Sequence, residues 1–173
     1  FLIPSSCHTK NVARDLVYGC WCKGKRIAGL SFPPMTLVLL ATVLKNDGHQ
    51  VEILDAQSFE WTLEETAGRL ASFDVCVILT STMTLNEDCE YLLAVKKRVP
   101  ALLTVAYGGH VTAEPESTLL GKNRRGAIDI LCLCEPEHSL RDFLRAKEKG
   151  DESFKFCPGI AYVKDDKCAV TPP

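Results

Sequence analysis

Short apolar runs alternate with segments of helical periodicity along the first 150 residues of the chain. The runs "FLIP", "QVEILDA", "DVCVILTS", "ALLTVAYGG" and "AIDILCLC" are bounded by turn residues, which is typical of buried strands. Helices are predicted over "MTLVLLATVLKNDG" and near 62–70, 86–98, 114–120 and 137–149. This alternation predicts an α/β domain over residues 1–150, with a doubly wound, five-stranded parallel sheet of Rossmann-like type and flavodoxin-like strand order.

The pattern changes after Gly150. The segment "GIAYVKDDKCAVTPP" alternates apolar and polar positions, turns at Asp165 and Asp166, and ends in prolines. Residues 151–173 are therefore predicted to form a C-terminal β-hairpin and a linker that leads out of the domain. The chain opens on "FLIPSS", which resembles the end of a strand, so we expect further residues upstream.

Composition and charge exclude several classes of protein. Apolar residues make up 46% of the 173-residue chain and charged residues 24%, which indicates a globular domain and not a disordered one. The net charge is -2 and the short basic runs are scattered, so no nucleic-acid surface is predicted. The longest strongly apolar stretch, Met35 to Leu44, is far shorter than the ~20 residues of a membrane span.

The cysteines indicate a reducing compartment. There are 9 of them, an odd number, and some lie inside apolar runs, so we expect reduced thiols in a cytoplasmic protein. Those in or beside predicted strands and helices are expected to be buried: Cys76, Cys89, Cys132, Cys134 and Cys157.

Two C-x-C segments have different predicted roles. Alternation along a strand predicts that Cys132 and Cys134 share one face and act as small core residues. Cys20 and Cys22 have no matching pair at a spacing suited to zinc. We expect these two thiols in an exposed loop where Trp21 covers the mouth of a pocket, with nearby lysines making them the first to be alkylated.

Ligands of an open parallel sheet bind at the carboxyl ends of its strands. Three loops are predicted there, after Ile3, after Leu79 and after Ala106. The second loop is "TSTMT", whose hydroxyls can donate to a phosphate, an amide or a ring system. In the third, Gly108 and Gly109 can take positive φ or let a flat ligand lie against the backbone. A structural alternative stays open, in which the glycines only turn the chain and the hydroxyls only cap a helix.

No nucleotide-binding fingerprint or catalytic constellation is present. The sequence contains neither G-x-x-x-x-G-K-S/T nor a G-x-G-x-x-G that follows a strand. Asp55, where a dinucleotide fold places its ribose-binding acid, is therefore interpreted as a cap or turn residue. No acid-base pair has a credible spacing and no nucleophile has an identifiable base, so we expect no catalytic residue.

Several segments, in order along most of the chain, together carry a family resemblance. They are "SFPPMTLVLLATVLKNDGHQVEILDAQ", "STMT", "YGGHVTAEPESTL", "IDILCLCEPEHSLRDFL" and "PGIAYVKDDKCAVTPP". The chain resembles the N-terminal cobalamin-binding domain of the cobalamin-dependent radical SAM enzymes. The resemblance implies that cobalamin is the cofactor and that the loops after the third and fourth strands line the pocket for its nucleotide tail.

The resemblance also implies a set of cofactor-binding residues. The loop after the fifth strand, usually of Gly-Glu-Gly-Glu type in the family, reads Cys-Glu-Pro-Glu here. The implied contacts are Ser5, Thr80, Ser81, Thr82, Met83, Thr84, Gly108, Gly109, His110, Glu135 and Glu137.

The resemblance assigns no metal ligand to the protein. The D-x-H-x-x-G motif that supplies an axial histidine in many cobalamin folds is missing, and His8 lacks the flanking Asp and Gly. His8 is interpreted as a surface histidine, because a histidine is often neither a ligand nor a base. The resemblance implies that cobalamin can bind without a protein histidine, since relatives in the radical SAM family commonly lack the motif as well.

The implied function is that of a binding module. The module would position cobalamin for methyl transfer or a related radical reaction, carried out with a following barrel domain that holds an iron-sulfur cluster and S-adenosylmethionine. The three-cysteine motif for that cluster, C-x-x-x-C-x-x-C, is absent from the chain. Two alternatives stay open: a degenerate module that binds no cobalamin and serves for docking or pocket shaping, and a flavodoxin-like carrier of another cofactor.

Overall fold

The computed structural model describes residues 1–5, 34–150 and 152–172. Strands and helices alternate along these ranges as the hydrophobic pattern predicts. The strands are β1 (Leu2–Ile3), β2 (Leu54–Asp55), β3 (Val75–Leu79), β4 (Leu103–Tyr107), β5 (Ile130–Cys132), β6 (Ile160–Lys164) and β7 (Lys167–Val170). The helices are α1 (Met35–Asn46), α2 (Leu63–Leu70), α3 (Leu85–Lys96), α4 (Gly109–Ala113), α5 (Pro115–Leu120) and α6 (Pro136–Glu148), followed by a 3-10 helix, Glu152–Phe156.

Strand pairing confirms the predicted parallel, doubly wound architecture. Strand β1 pairs in parallel with β2, and β3, β4 and β5 form a parallel group in that order. Strand β1 lies against β3, but hydrogen bonding among the described residues divides the strands into the β1–β2 pair and a sheet ordered β3-β4-β5-β6-β7. Strands β1 and β2 are short, with 2 residues each.

The C-terminal hairpin is present and joins the main sheet. Asp165 and Asp166 have φ values of 48° and 60°, the left-handed conformation that a type I′ hairpin turn requires at both central positions. Strand β6 pairs antiparallel with β5, with Ile130 opposite Tyr162. The hairpin therefore extends the sheet beside β5. That residues 151–173 also lead out of the domain stays a prediction.

The core consists of two apolar layers, one on each face of the sheet. Successive residues of β3 alternate between them, so that Ile78 packs with α2, α3 and α5, and Val77 packs with α1 and α6. Both layers are fully buried at their centres, for example at Leu92 of α3 and Phe143 of α6. A sheet covered on both faces leaves its strand ends and loops as the places where a ligand can reach the backbone. No helix in the described ranges is long and apolar enough to cross a membrane.

Candidate functional site

The loops after β3, β4 and β5 meet at one edge of the sheet. Leu79 at the end of β3 lies opposite Tyr107 at the end of β4, and Tyr107 lies opposite Cys132 at the end of β5. The segments 80–84 and 108–110, together with the segment 133–135 that we call the β5 loop, therefore start at the same level of the sheet. This edge carries most of the cofactor contacts that the sequence predicts.

Three hydroxyl residues of the loop after β3 are turned inward. Thr80, Ser81 and Thr84 are each at most 2% exposed. Thr80 Oγ1 donates to Asp88 Oδ2 at 2.7 Å, and Thr84 Oγ1 accepts from the backbone N–H of Ser81 at 3.2 Å. These hydroxyls hold the loop against the start of α3. A direct contact between them and a cofactor stays a prediction.

The same loop presents two side chains to the outside. Thr82 is exposed, and the apolar side chain of Met83 is 47% exposed. A thioether at the tip of a polar loop offers an adaptable apolar contact to a ligand. Thr82 and Met83 are therefore the members of this loop that can reach a bound molecule without rearrangement.

The two glycines after β4 differ in their surroundings. Gly108 has a φ of 132°, and a Cβ built there would lie 2.4 Å from the Thr80 carbonyl oxygen and 3.1 Å from Leu79 Cδ1. A Cβ on Gly109 would have no atom within 4 Å. Gly108 thus allows the two loops to pack together, whereas Gly109 leaves open space beside the backbone.

His110 connects the loop after β4 to the loop after β3. Its Nδ1 lies 3.0 Å from Thr82 Oγ1, while its Nε2 is buried and has no hydrogen-bond partner in the part of the chain that the structure describes. Burial lowers the pKa of this imidazole, the nearby Arg124 guanidinium lowers it further, and Glu114 opposes the shift. His110 is therefore neutral at pH 7 and can bind as a hydrogen-bonding group without a charge.

Thr112 connects the loop after β4 to the β5 loop. Its hydroxyl accepts from the backbone N–H of Cys134 at 2.9 Å and donates to the Gly108 carbonyl at 3.2 Å. The sequence analysis did not identify this residue. A threonine four positions after Gly108 could have suggested a bond back to that carbonyl, but nothing local predicts the bond to Cys134.

The remaining predicted contacts lie at the margins of this edge. Glu135 is exposed and precedes α6, and Glu137 is half-buried in the first turn of that helix. Ser5 follows β1 and lines a separate cavity of about 320 Å³ together with Trp61, Glu87, Glu90 and Tyr91. The described lining of that cavity does not include the glycine pair.

The prediction that Cys134 is a core residue is wrong. Strand β5 ends at Cys132, and Cys134 has a φ of 57°, which breaks the alternation and leaves the side chain exposed. The other cysteines predicted to be buried are buried: Cys76, Cys89, Cys132 and Cys157. Cys20, Cys22 and His8 lie outside the described residues.

Brief alkylation at pH 8 is expected to label Cys134 at least about a hundredfold faster than Cys76 or Cys132, because the thiolate is the reactive form. Burial raises the pKa of the Cys76 thiol to about 11 and that of Cys132 to about 12, so both stay protonated and enclosed at this pH. Peptide mass spectrometry after a short pulse of N-ethylmaleimide measures each site. Equal labelling of Cys132 and Cys134 would contradict the position at which β5 ends.

Comparison with known proteins identifies the family. The family model of the B12 binding domain matches residues 26–144, well over half of the chain. The chain belongs to the B12-binding domain family. The prediction of cobalamin as the cofactor is confirmed at the level of this family, because B12 is cobalamin.

Two curated relatives of this B12-binding domain are larger proteins. An uncharacterized methyltransferase of Pyrococcus horikoshii is 28% identical over 151 residues, which covers 86% of this chain and 32% of the relative. The anaerobic magnesium-protoporphyrin IX monomethyl ester cyclase of Synechocystis is also 28% identical, over 87% of this chain and 30% of the relative. The chain therefore spans about a third of the length of these two relatives.

The B12-binding domain also resembles solved structures of one enzyme. These are structures of the radical S-adenosylmethionine methyltransferase TsrM from Kitasatospora setae. The structure with cobalamin and a 4Fe-4S cluster bound superposes on 87% of this chain and 27% of its own, with a TM-score of 0.71 and 17% identity. A second, with tryptophan substrate and a SAM analog, covers 83% of this chain with a TM-score of 0.70. At this identity the likeness establishes the fold.

The residues at the carboxyl edge fit a large cofactor of this kind. Gly109 leaves an open approach to the backbone, and Thr82 and Met83 place a polar and an apolar contact beside it. The buried Nε2 of His110 adds a hydrogen-bonding atom without a partner among the described residues. In the same ranges, no group of three or more His, Cys, Asp or Glu side chains is arranged to hold a metal ion.

Proposed function

We propose that this chain is the cobalamin-binding module of a radical SAM enzyme. The observation that carries the proposal is the match to the B12-binding family combined with an open glycine, Gly109, at the sheet edge where ligands of such folds bind. The names of the relatives and the fold shared with TsrM support a place in a methyltransferase or a related radical enzyme.

Thr82, Met83, Gly109 and His110 would hold the cofactor, with Glu135 and Glu137 at the margin of the site. Thr80, Ser81, Thr84 and Gly108 would act from behind them, since their contacts fix the shape of the loops. Bound cobalamin would supply cobalt-based methyl-transfer or radical chemistry. The protein would bind and orient it and would keep the glycine-lined backbone free for close approach.

The reaction would be completed outside this chain. We propose that residues 151–173 lead to a radical SAM barrel in the same polypeptide, which would provide the iron-sulfur cluster and S-adenosylmethionine. The free buried thiols of the described residues suit a reducing, cytoplasmic environment.

Incubation with hydroxocobalamin followed by desalting tests the proposal. The chain is expected to retain about one equivalent of cobalamin by its absorption spectrum, and Gly109→Trp is expected to lower retention at least about tenfold, since the indole would occupy the open approach. Gly68→Trp is the matched control, because Gly68 is exposed on α2 and also has nothing within 4 Å of a Cβ. A chain that retains no cobalamin would instead be the degenerate module, and equal retention by both variants would place the cofactor elsewhere.

A further inference from the structure

Helix α4 lies between the two neighbouring loops of the proposed site and contacts both. It follows β4, the strand between β3 and β5, and starts immediately after Gly108. On one side His110 Nδ1 meets Thr82 Oγ1 at 3.0 Å, and on the other Thr112 Oγ1 meets the Cys134 N–H at 2.9 Å. Two side chains of one short helix thus connect the loop after β3, the glycine pair and the β5 loop.

The Thr112 hydroxyl uses both of its hydrogen-bonding roles in this connection. It accepts from Cys134 and donates to the carbonyl of Gly108, so it links the β5 loop directly to the turn that contains the glycine pair. A methyl group in place of the hydroxyl could neither accept the first hydrogen bond nor donate the second. The bond length of 2.9 Å lies at the mode for N–H···O bonds, so the β5 loop is held directly against α4.

Cys134 needs such a link because its backbone is strained. A φ of 57° is in the left-handed region, where a residue with a Cβ costs roughly 1–2 kcal/mol. A strained conformation persists only where surrounding contacts hold it in place. The bond from Cys134 to Thr112 is a contact of this kind, and the exposed thiol reports on whether the conformation is maintained.

We infer that Thr112 is a positioning residue of the cobalamin site, holding the β5 loop at a fixed distance from the glycine pair. The inference rests on the proposed function. The hydrogen bond between His110 and Thr82 performs the same task on the other side of α4. The relative positions of the loop after β3 and the β5 loop are therefore set by two side chains of α4, of which Thr112 stands behind the cofactor while His110 also lines its site.

Thr112→Val removes the hydroxyl at nearly constant shape, and Thr112→Ser retains it. The valine variant is expected to bind hydroxocobalamin about five- to tenfold more weakly, the effect of one lost hydrogen bond. In the cofactor-free chain, its Cys134 is expected to be alkylated severalfold faster relative to Cys168, which is partly buried in β7. The serine variant is expected to restore both values, and His110→Asn is expected to leave the Cys134 rate unchanged.

The outcomes separate this inference from the proposed function. An unmodified chain that binds no cobalamin overturns the proposed function, while the alkylation ratio still decides whether Thr112 holds the β5 loop. The inference is overturned if the Thr112→Val variant binds hydroxocobalamin as tightly as the unmodified chain and its Cys134 is alkylated at the same rate. If the valine variant fails to fold, Thr112→Ala makes the same deletion with a smaller side chain and is judged by the same two values.

Discussion

Gly108→Ala is expected to lower the free energy of unfolding by at least about 3 kcal/mol, whereas Gly109→Ala changes it by no more than about 1 kcal/mol. At Gly108 the backbone has φ 132° and ψ 172°, a conformation that is essentially confined to glycine and strains other residues by 1–3 kcal/mol, by order of magnitude. The added methyl would also meet the Thr80 carbonyl oxygen at 2.4 Å, and overpacking adds roughly 1–3 kcal/mol. Gly109 presents neither obstacle.

Urea unfolding followed by circular dichroism measures this difference, with Gly68→Ala as a second control in α2. The control is matched because Gly68 and Gly109 both lie in helices and both have open space at the Cβ position. A Gly108→Ala variant as stable as the Gly109→Ala variant would show that the loop after β3 can move away from the turn at little cost.

The two glycines illustrate how far the sequence could predict the site. The pattern "YGGH" places both at the end of a strand and makes them equivalent candidates for close approach to a ligand. Their difference arises from the neighbouring loop, since only Gly108 lies against the Thr80 carbonyl. A contact between segments about thirty residues apart depends on strand register, and strands buried on both faces have little alternation from which their register could be predicted.

The fold was more predictable than the site because periodicity reports burial directly. All five parallel strands and the hairpin lie within or beside the predicted runs. The helix predicted over 114–120 is α5, but a further short helix, α4, precedes it and was not predicted; the two meet at Glu114, with Pro115 at the first position of α5. Proline at a first helical position gives no sign that another helix ends just before it.

Cys134 and Thr112 show the same limit in the β5 loop. Alternation predicted that Cys134 continues the inward face of β5. Instead the strand ends at Cys132, and Cys134 has the left-handed backbone conformation that glycine normally occupies. In this conformation the Cys134 N–H donates a hydrogen bond to Thr112 of α4, a helix that is distant in the sequence. Local propensity contains no information on such a partner, so the conformation of the β5 loop could not be predicted from the sequence.

Asp129→Ala is expected to lower the free energy of unfolding by about 2–3 kcal/mol, the largest effect we expect from a side chain outside the cofactor edge. Asp129 precedes β5, and its two carboxylate oxygens each accept from Lys96 Nζ of α3 at 2.7 Å. One of them also accepts from the backbone N–H of Thr104 in β4 at 2.8 Å. The carboxylate thus ties the start of β5 to both α3 and β4.

The magnitude follows from what the alanine variant leaves behind. The Lys96 side chain is 18% exposed and that of Asp129 33%, so the pair is partly screened, and the effect falls below the 3–5 kcal/mol of a fully buried pair.

Asp129→Asn keeps an oxygen for the Thr104 N–H and is expected to cost about half as much. Lys96→Met with Asp129→Ala removes both charges, and this double variant is expected to be more stable than Asp129→Ala alone, because no unpaired ammonium remains near the core. Urea unfolding of the four chains, including the unmodified one, gives these differences. A double variant less stable than Asp129→Ala would mean that Lys96 stabilises the fold through packing of its aliphatic stem and not through its charge.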